Sequence, residues 1–184
     1  MAFDIKGFRD ALGLFPTGIA VMTAAPAPDP ANPAKQDASH IGITVNSFTS
    51  VSLDPPLVLW CIDRRSRRYP HFAQAPGFTV SILASGHRDV SSRLAGTGEH
   101  SLEGIALIPT ELGPPALADS LAIFECARES VQDAGDHAIL IGRVLRFAWH
   151  DMAGAPLVYF RGRYGALAQG EPPDGILGRR ASDG

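Results

Sequence analysis

A mainly β fold, with strands closing into a barrel and a few short helices outside it, is what this chain of 184 residues predicts. Three observations lead there. The 19 glycines and 15 prolines punctuate the chain often enough to favour short strands over long helices. Apolar residues recur at helical spacing only over short segments. Most telling is the pair of long adjacent β-like runs, Leu121 to Val131 and His137 to Trp149, joined through Gly135-Asp136, a hairpin dipeptide.

In chain order, Ile5, Phe8, Leu12 and Phe15 sit at helical spacing, which predicts an amphipathic helix from about Asp4 to Leu12 that ends at Gly13 and lays its apolar face on a sheet. Pro16-Thr17-Gly18 turns the chain into a first strand, Ile19 to Ala25. The Pro/Ala-rich stretch from Pro26 to Ala38 is then the surface loop of a hairpin. Ile41, Ile43 and Val45 alternate with Gly42, Thr44 and Asn46, a strand with one apolar and one polar face, followed by a hydroxyl-rich turn. Beyond Pro55-Pro56 a second apolar run, Leu57 to Ile62, is a strand. Ser66 stands as a plausible N-cap for a short helix from about Tyr69 to Ala75.

Phe78 to Leu83 reads as a strand, and Val90 to Leu94 lies in a helix that exposes His87, Arg88, Asp89 and Arg93 and closes at Gly96-Thr97-Gly98. Gly113-Pro114-Pro115 is a turn. In the run His137 to Trp149, Ile139, Ile141, Leu145, Phe147 and Trp149 share one parity. Leu157 to Phe160 is the last strand expected. Residues 1–169 read as one domain, and the polar, Gly-rich stretch 170–184 as a flexible tail.

A net charge of -3 and a pI near 6.0 give no general attraction for nucleic acid or an anionic membrane, so any anion site must be local. Two cysteines, Cys61 and Cys126, make neither a disulfide framework nor a zinc spacing, and a reducing cytoplasm is the simplest expectation. The first residues include Asp4 and Lys6 and form no apolar leader, and no later apolar run approaches the roughly 20 residues of a membrane span.

Several enzyme classes lack their signatures. The chain has no G-x-S-x-G nucleophile elbow, no G-x-x-x-x-G-K-[ST] phosphate loop and no H-E-x-x-H metal helix. Gly96 and Gly98 do not open a dinucleotide fingerprint, because no strand immediately precedes them and the third glycine position is Ser101. What remains is a cradle of Ser, Thr and Asn between Ile41 and Leu59, four arginines packed around Ser66 in Asp63-Arg64-Arg65-Ser66-Arg67-Arg68, and a strand-edge histidine, His137. Small hydroxyls and backbone amides donate hydrogen bonds without filling the space of a flat ligand, and arginines beside a serine suit a phosphate. The set fits a flat, phosphorylated cofactor; an ordinary polar loop and a solvated basic turn are the alternatives.

Four motifs then resemble the flavin reductase family, the reductase components of two-component flavin monooxygenases. They are F-P-T-G at Phe15 to Gly18, G-I-T-V-N-S-F-T-S-V-S-L-D-P-P-L-V-L at Gly42 to Leu59, G-D-H-A-I-L-I-G-R-V at Gly135 to Val144, and Y-F-R-G-R-Y-G at Tyr159 to Gly165. Their order and spacing cover nearly the whole chain, from about Phe8 to Leu167. The resemblance implies an FMN-binding split β-barrel that binds FMN or FAD, usually as a homodimer, takes hydride from NADH or NADPH, and supplies reduced flavin to a separate flavin-dependent monooxygenase. It further implies that Thr44, Asn46, Ser47, Phe48, Thr49 and Ser50 line the flavin, that Thr17 approaches its ring system, and that Cys61, Asp63, Arg64 and Ser66 face the ribityl and phosphate end. Ser81 stands where many relatives have Asn and offers a shorter hydrogen-bonding group. His137 is the expected nicotinamide-side residue, and Tyr164 helps close the same pocket. An electron-transfer or oxidase-type flavoprotein and a non-enzymatic flavin-binding module on the same barrel are the competing readings.

Overall fold

The computed structural model describes residues 3–26, 40–96, 101–150 and 154–167. It is built from strands, with short helices at the periphery. Helix α1 (Ile5–Leu12) begins where the Asp4 carboxylate accepts the Gly7 N–H at 3.0 Å and stops at Gly13. No residue of it is buried, and Phe3, Ile5, Phe8, Leu12 and Phe15 are all at least half exposed. The sheet expected beneath its apolar face is therefore absent among the described residues.

Strand β1 (Thr17–Gly18) leads into β2 (Ala20–Ala24), which pairs antiparallel with β3 (Ile41–Val45) as the hairpin reading requires; the connection itself, 27–39, lies outside the described residues. The stretch read as a hydroxyl-rich turn is a strand, β4 (Thr49–Leu53), paired with β5 (Pro56–Asp63). It is an edge strand, so it carries no apolar alternation to announce it. Helix α2 (Tyr69–Gln74) follows with Arg68, not Ser66, at its N-cap and no side-chain capping bond. Strand β6 (Gly77–Ile82), a 3-10 turn at Ser85–His87, and α3 (Arg88–Ala95) come next. The small hairpin β7 (Leu107–Ile108) and β8 (Ala116–Leu117) precedes the long pair β9 (Ala122–Ala134) and β10 (His137–Trp149), whose turn uses Gly135 at φ +64. Leu157–Phe160, β11, is not the last strand: a turn at Arg161-Gly162, both at positive φ, returns the chain as β12 (Arg163–Ala166). The tail 170–184 lies outside the described residues.

Seven strands form one antiparallel sheet in the order β3-β2-β6-β9-β10-β5-β4, and β1, β11 and β12 form a second, smaller one. Alternation along β2 decides where the cores sit. Ala20, Met22 and Ala24 join Trp60, Phe72, Phe78 and Leu140 inside the large sheet, while Val21 points the other way to Leu83, Leu94, Leu117 and Leu157. Gly142 is required where β10 crosses the inner core, because a Cβ there would meet the Phe78 ring at 2.5 Å.

The parity of β10 is the opposite of a simple reading. Ala138, Leu140 and Gly142 are its buried positions, and the apolar series ends with Leu145, Phe147 and Trp149 exposed at 51, 64 and 63%. Irregularities at Ile141/Gly142 and Val144/Arg146 shift the pairing with β9, so one alternation does not run the length of the strand. Phe147 and Trp149 stack on each other outside, with ring centroids 5.8 Å apart.

Candidate functional site

At the end of β3 the chain turns sharply, and Ser47 clasps β5. Its Oγ accepts the Cys61 N–H at 2.9 Å and donates to the Cys61 carbonyl at 3.2 Å. This draws β3, at one edge of the large sheet, against β5 near the other. The Ser47 hydroxyl proton is thereby committed within the protein. Thr44 is similarly committed, donating from Oγ1 to the Ser91 carbonyl at 2.9 Å.

Between this wall and the arginine-rich loop lies an open cleft of about 690 Å³. It brings together Thr44, Asn46, Ser47, Cys61, Asp63, Ser66 and His137, together with Arg65, Arg67 and Arg68. The loop sorts its arginines by partner. Asp63 accepts from Arg65 at the backbone N–H (2.8 Å), Nε (3.2 Å) and Nη2 (2.9 Å), and those hydrogen bonds hold its carboxyl at about 2. Arg64, expected to face the phosphate end, instead pairs with Asp133 at 3.2 Å and does not line the cleft. Arg68 is buried and donates to the carbonyls of Leu94 (2.6 Å) and Gly96. Arg67, exposed on the cleft, has no partner among the described residues. Ser66 accepts the Arg68 N–H at 3.3 Å, so its hydroxyl shapes the loop.

His137 begins β10, opposite Asp63 of β5, and its Nδ1 lies 2.7 Å from the Asp136 carboxylate. That hydrogen bond keeps the Asp136 carboxyl below the usual carboxylate range. Burial raises the pKa of the Cys61 thiol, which favours an inert lining group over a reactive one.

Tyr164 is not in this cleft. It borders a smaller recess of about 200 Å³ beside it, with Tyr159 and Ile19, and the two spaces share Thr44, Val45, Asn46 and Ala95 as walls. Within a single chain His137 and Tyr164 therefore line different spaces. Phe48 packs inward against the core, its ring 5.9 Å from Phe124. Thr49 and Ser50 lie exposed on edge strand β4. Ser81 is fully buried and its Oγ accepts the Leu117 N–H at 3.0 Å, so it holds β8 to β6 rather than facing either space. Thr17 sits opposite Tyr159 on β1, and its Oγ1 is shielded from solvent with no hydrogen-bond partner.

Arg67 was legible only as one arginine of four, since a loop's side-chain directions are not written in its composition. Tyr159 and Ala95 carried no signal that would have singled them out.

The arrangement suits a flat anionic ligand. An amide and hydroxyl wall stands on one side, the exposed Arg67 guanidinium on another, and a histidine marks the rim. The comparisons agree with that chemistry. A family model described as flavin reductase like domain matches residues 12–168. The FMN reductase (NADH) SmoA of Agrobacterium fabrum is 40% identical over 89% of this chain and 87% of its own length. The reductase component of the flavin-dependent trigonelline monooxygenase of Acinetobacter baylyi is also 40% identical over 87% of this chain, which spans about half (48%) of that longer relative. Among solved structures, the Streptomyces globisporus NADH:FAD oxidoreductase SgcE6, in complex with NAD and FAD fragments, superposes with a TM-score of 0.79 at 29% identity, covering 91% of this chain and 97% of that one.

Proposed function

We propose, because the chain belongs to the flavin reductase-like family, that it is an NAD(P)H:flavin oxidoreductase whose cleft holds FMN or FAD and which supplies reduced flavin to a separate flavin-dependent monooxygenase. The observation that carries this reading is the cleft itself, with Arg67 at one end, without a partner among the described residues, and His137 at its rim. When bound, the flavin supplies the hydride acceptor and NADH or NADPH the donor. The chain's own residues fix geometry: Thr44 to Ser47 form the wall against which a ring can lie, Arg67 and Ser66 meet the phosphate end, and His137 orients the nicotinamide side.

Titration with FMN and FAD is expected to perturb the visible flavin spectrum, and NADH or NADPH to bleach it anaerobically over many turnovers. No perturbation by either flavin sinks the proposal. Binding without bleaching favours the electron-carrier reading instead.

Flavin affinity is also expected to fall as salt rises, and Arg67→Ala to weaken binding about tenfold while flattening that dependence. Arg64→Ala should leave both nearly unchanged, since its charge faces Asp133. Isothermal titration at two salt concentrations checks the pair, and equal behaviour of the two variants would remove the assignment of Arg67.

The same reading makes the protein a cytoplasmic homodimer, with residues 1–169 as the flavin domain and 170–184 as a tail. Exposed Leu53, Leu145, Phe147 and Trp149 on β4 and β10 support a second copy. Light scattering at micromolar concentration is expected to give twice the chain mass of 19.5 kDa, and a monomer there would refute it. No helix among the described residues is long and apolar enough to cross a membrane.

A further inference from the structure

We infer that Ser91, on α3, is a positioning residue that ties Tyr164 to Thr44, part of the wall shared by the flavin cleft and the recess beside it, and so sets the fit of the flavin. The inference rests on the flavin reductase reading of the cleft. Ser91 is completely buried. Its Oγ lies 3.0 Å from the Tyr164 Oη, and its backbone carbonyl accepts the Thr44 hydroxyl at 2.9 Å. A helical carbonyl has a second lone pair for such a bond. Thr44 and Tyr164 both line the recess of about 200 Å³. They belong to different sheets, Thr44 to β3 of the large one and Tyr164 to β12 of the small one. Backbone hydrogen bonds join the two sheets at Leu83, whose N–H donates to the Ile19 carbonyl at 3.0 Å and whose carbonyl accepts the Leu157 N–H at 2.9 Å, and α3 adds a side-chain link between them at the recess.

The rest of the Tyr164 ring is held as well. Tyr159 meets it edge-on with centroids 5.7 Å apart, and the Arg88 guanidinium, from the first turn of α3, lies 5.7 Å over its face. The phenol oxygen is the remaining freedom, and Ser91 Oγ fixes it. Helix α3 can stand this close because β3 carries Gly42, where a Cβ would meet Leu102 at 2.7 Å and Leu94 at 3.2 Å.

Removal of the Ser91 hydroxyl should act on position more than on folding. The Tyr164 side chain is partly exposed, so its hydroxyl can take water as a new partner, whereas its place in the wall is no longer set. Ser91→Ala and Tyr164→Phe are each expected to raise the Kd for flavin about three- to thirtyfold, with the thermal midpoint moving far less. The double variant should be no worse than the worse single one, because both remove the same bond. Multiplied effects in the double variant, or a flavin Kd unmoved by Tyr164→Phe, would overturn the inference, and the second holds even if Ser91→Ala does not fold. A wild-type protein that binds no flavin would instead remove the reading on which the inference rests.

Discussion

Replacing His137 with alanine is expected to slow reduction of the bound flavin by roughly tenfold to a hundredfold while leaving flavin affinity within about twofold. The placement of the residue explains the split. His137 lies at the rim of the cleft, at the first position of β10, where pairing with Asp63 fixes its backbone and Asp136 holds Nδ1 at 2.7 Å. With one ring nitrogen tied, the imidazole presents its other edge in a set direction, which is what alignment of a nicotinamide needs. Asp136 is depressed by its hydrogen bond to His137, so its contribution is present above the ordinary carboxylate range and is lost only as pH falls through its lowered value. The clasp is therefore intact at neutral pH. Single-turnover reduction by NADH, with a flavin titration alongside, separates the outcomes. A parallel loss of flavin binding would move His137 into the flavin's own contacts, and an unchanged rate would leave it as a strand-edge residue.

Much of the fold was legible in the sequence, and the failures have physical reasons. Asp4 and Gly13 as helix limits, the alternation from Ile41 to Val45, and the Gly135 turn into β10 are local signals, and each element stands where its residues place it. Thr49–Leu53 was hidden because an edge strand has no buried face to impose a period on its sequence. The outward parity of Leu145, Phe147 and Trp149 could not be read from alternation alone: a strand with two apolar faces looks the same whichever one a partner covers. Arg64 and Arg67 differ only in direction, which the turn sets through the backbone bonds Arg64 N to Asp136 O and Ser66 N to Asp63 O. Ser91 was invisible for a different reason. A serine within an amphipathic helix reads as solvent-facing, and its partners Thr44 and Tyr164 lie 47 and 73 residues away in the chain.

The arginine that cannot be spared for folding, Arg68, is a different one from Arg67, the arginine proposed to meet the ligand. Arg68→Met is expected to cost about 3 kcal/mol of stability and to lower the thermal midpoint by roughly 10 °C. The methionine keeps an apolar stem of similar reach but loses the fork that donates to Leu94 and Gly96. Those carbonyls belong to the last turn of α3 and its C-cap, where the helix supplies no donors of its own, and a cation there is also attracted by the negative end of the helix dipole. Burial lowers the guanidinium's pKa, but arginine starts so high that the group stays charged. Because Arg68 stands at the N-cap of α2 and reaches the end of α3, the same change loosens the loop that carries Ser66 and Arg67. Flavin affinity should therefore fall together with stability, and Arg68→Lys should recover only part of either, since one ammonium cannot serve both carbonyls in the fork geometry. Urea denaturation followed by flavin titration tests the coupling. A loss below about 1 kcal/mol would mean that water replaces the fork at the end of α3, and that the cationic loop is held in place by its own turn alone.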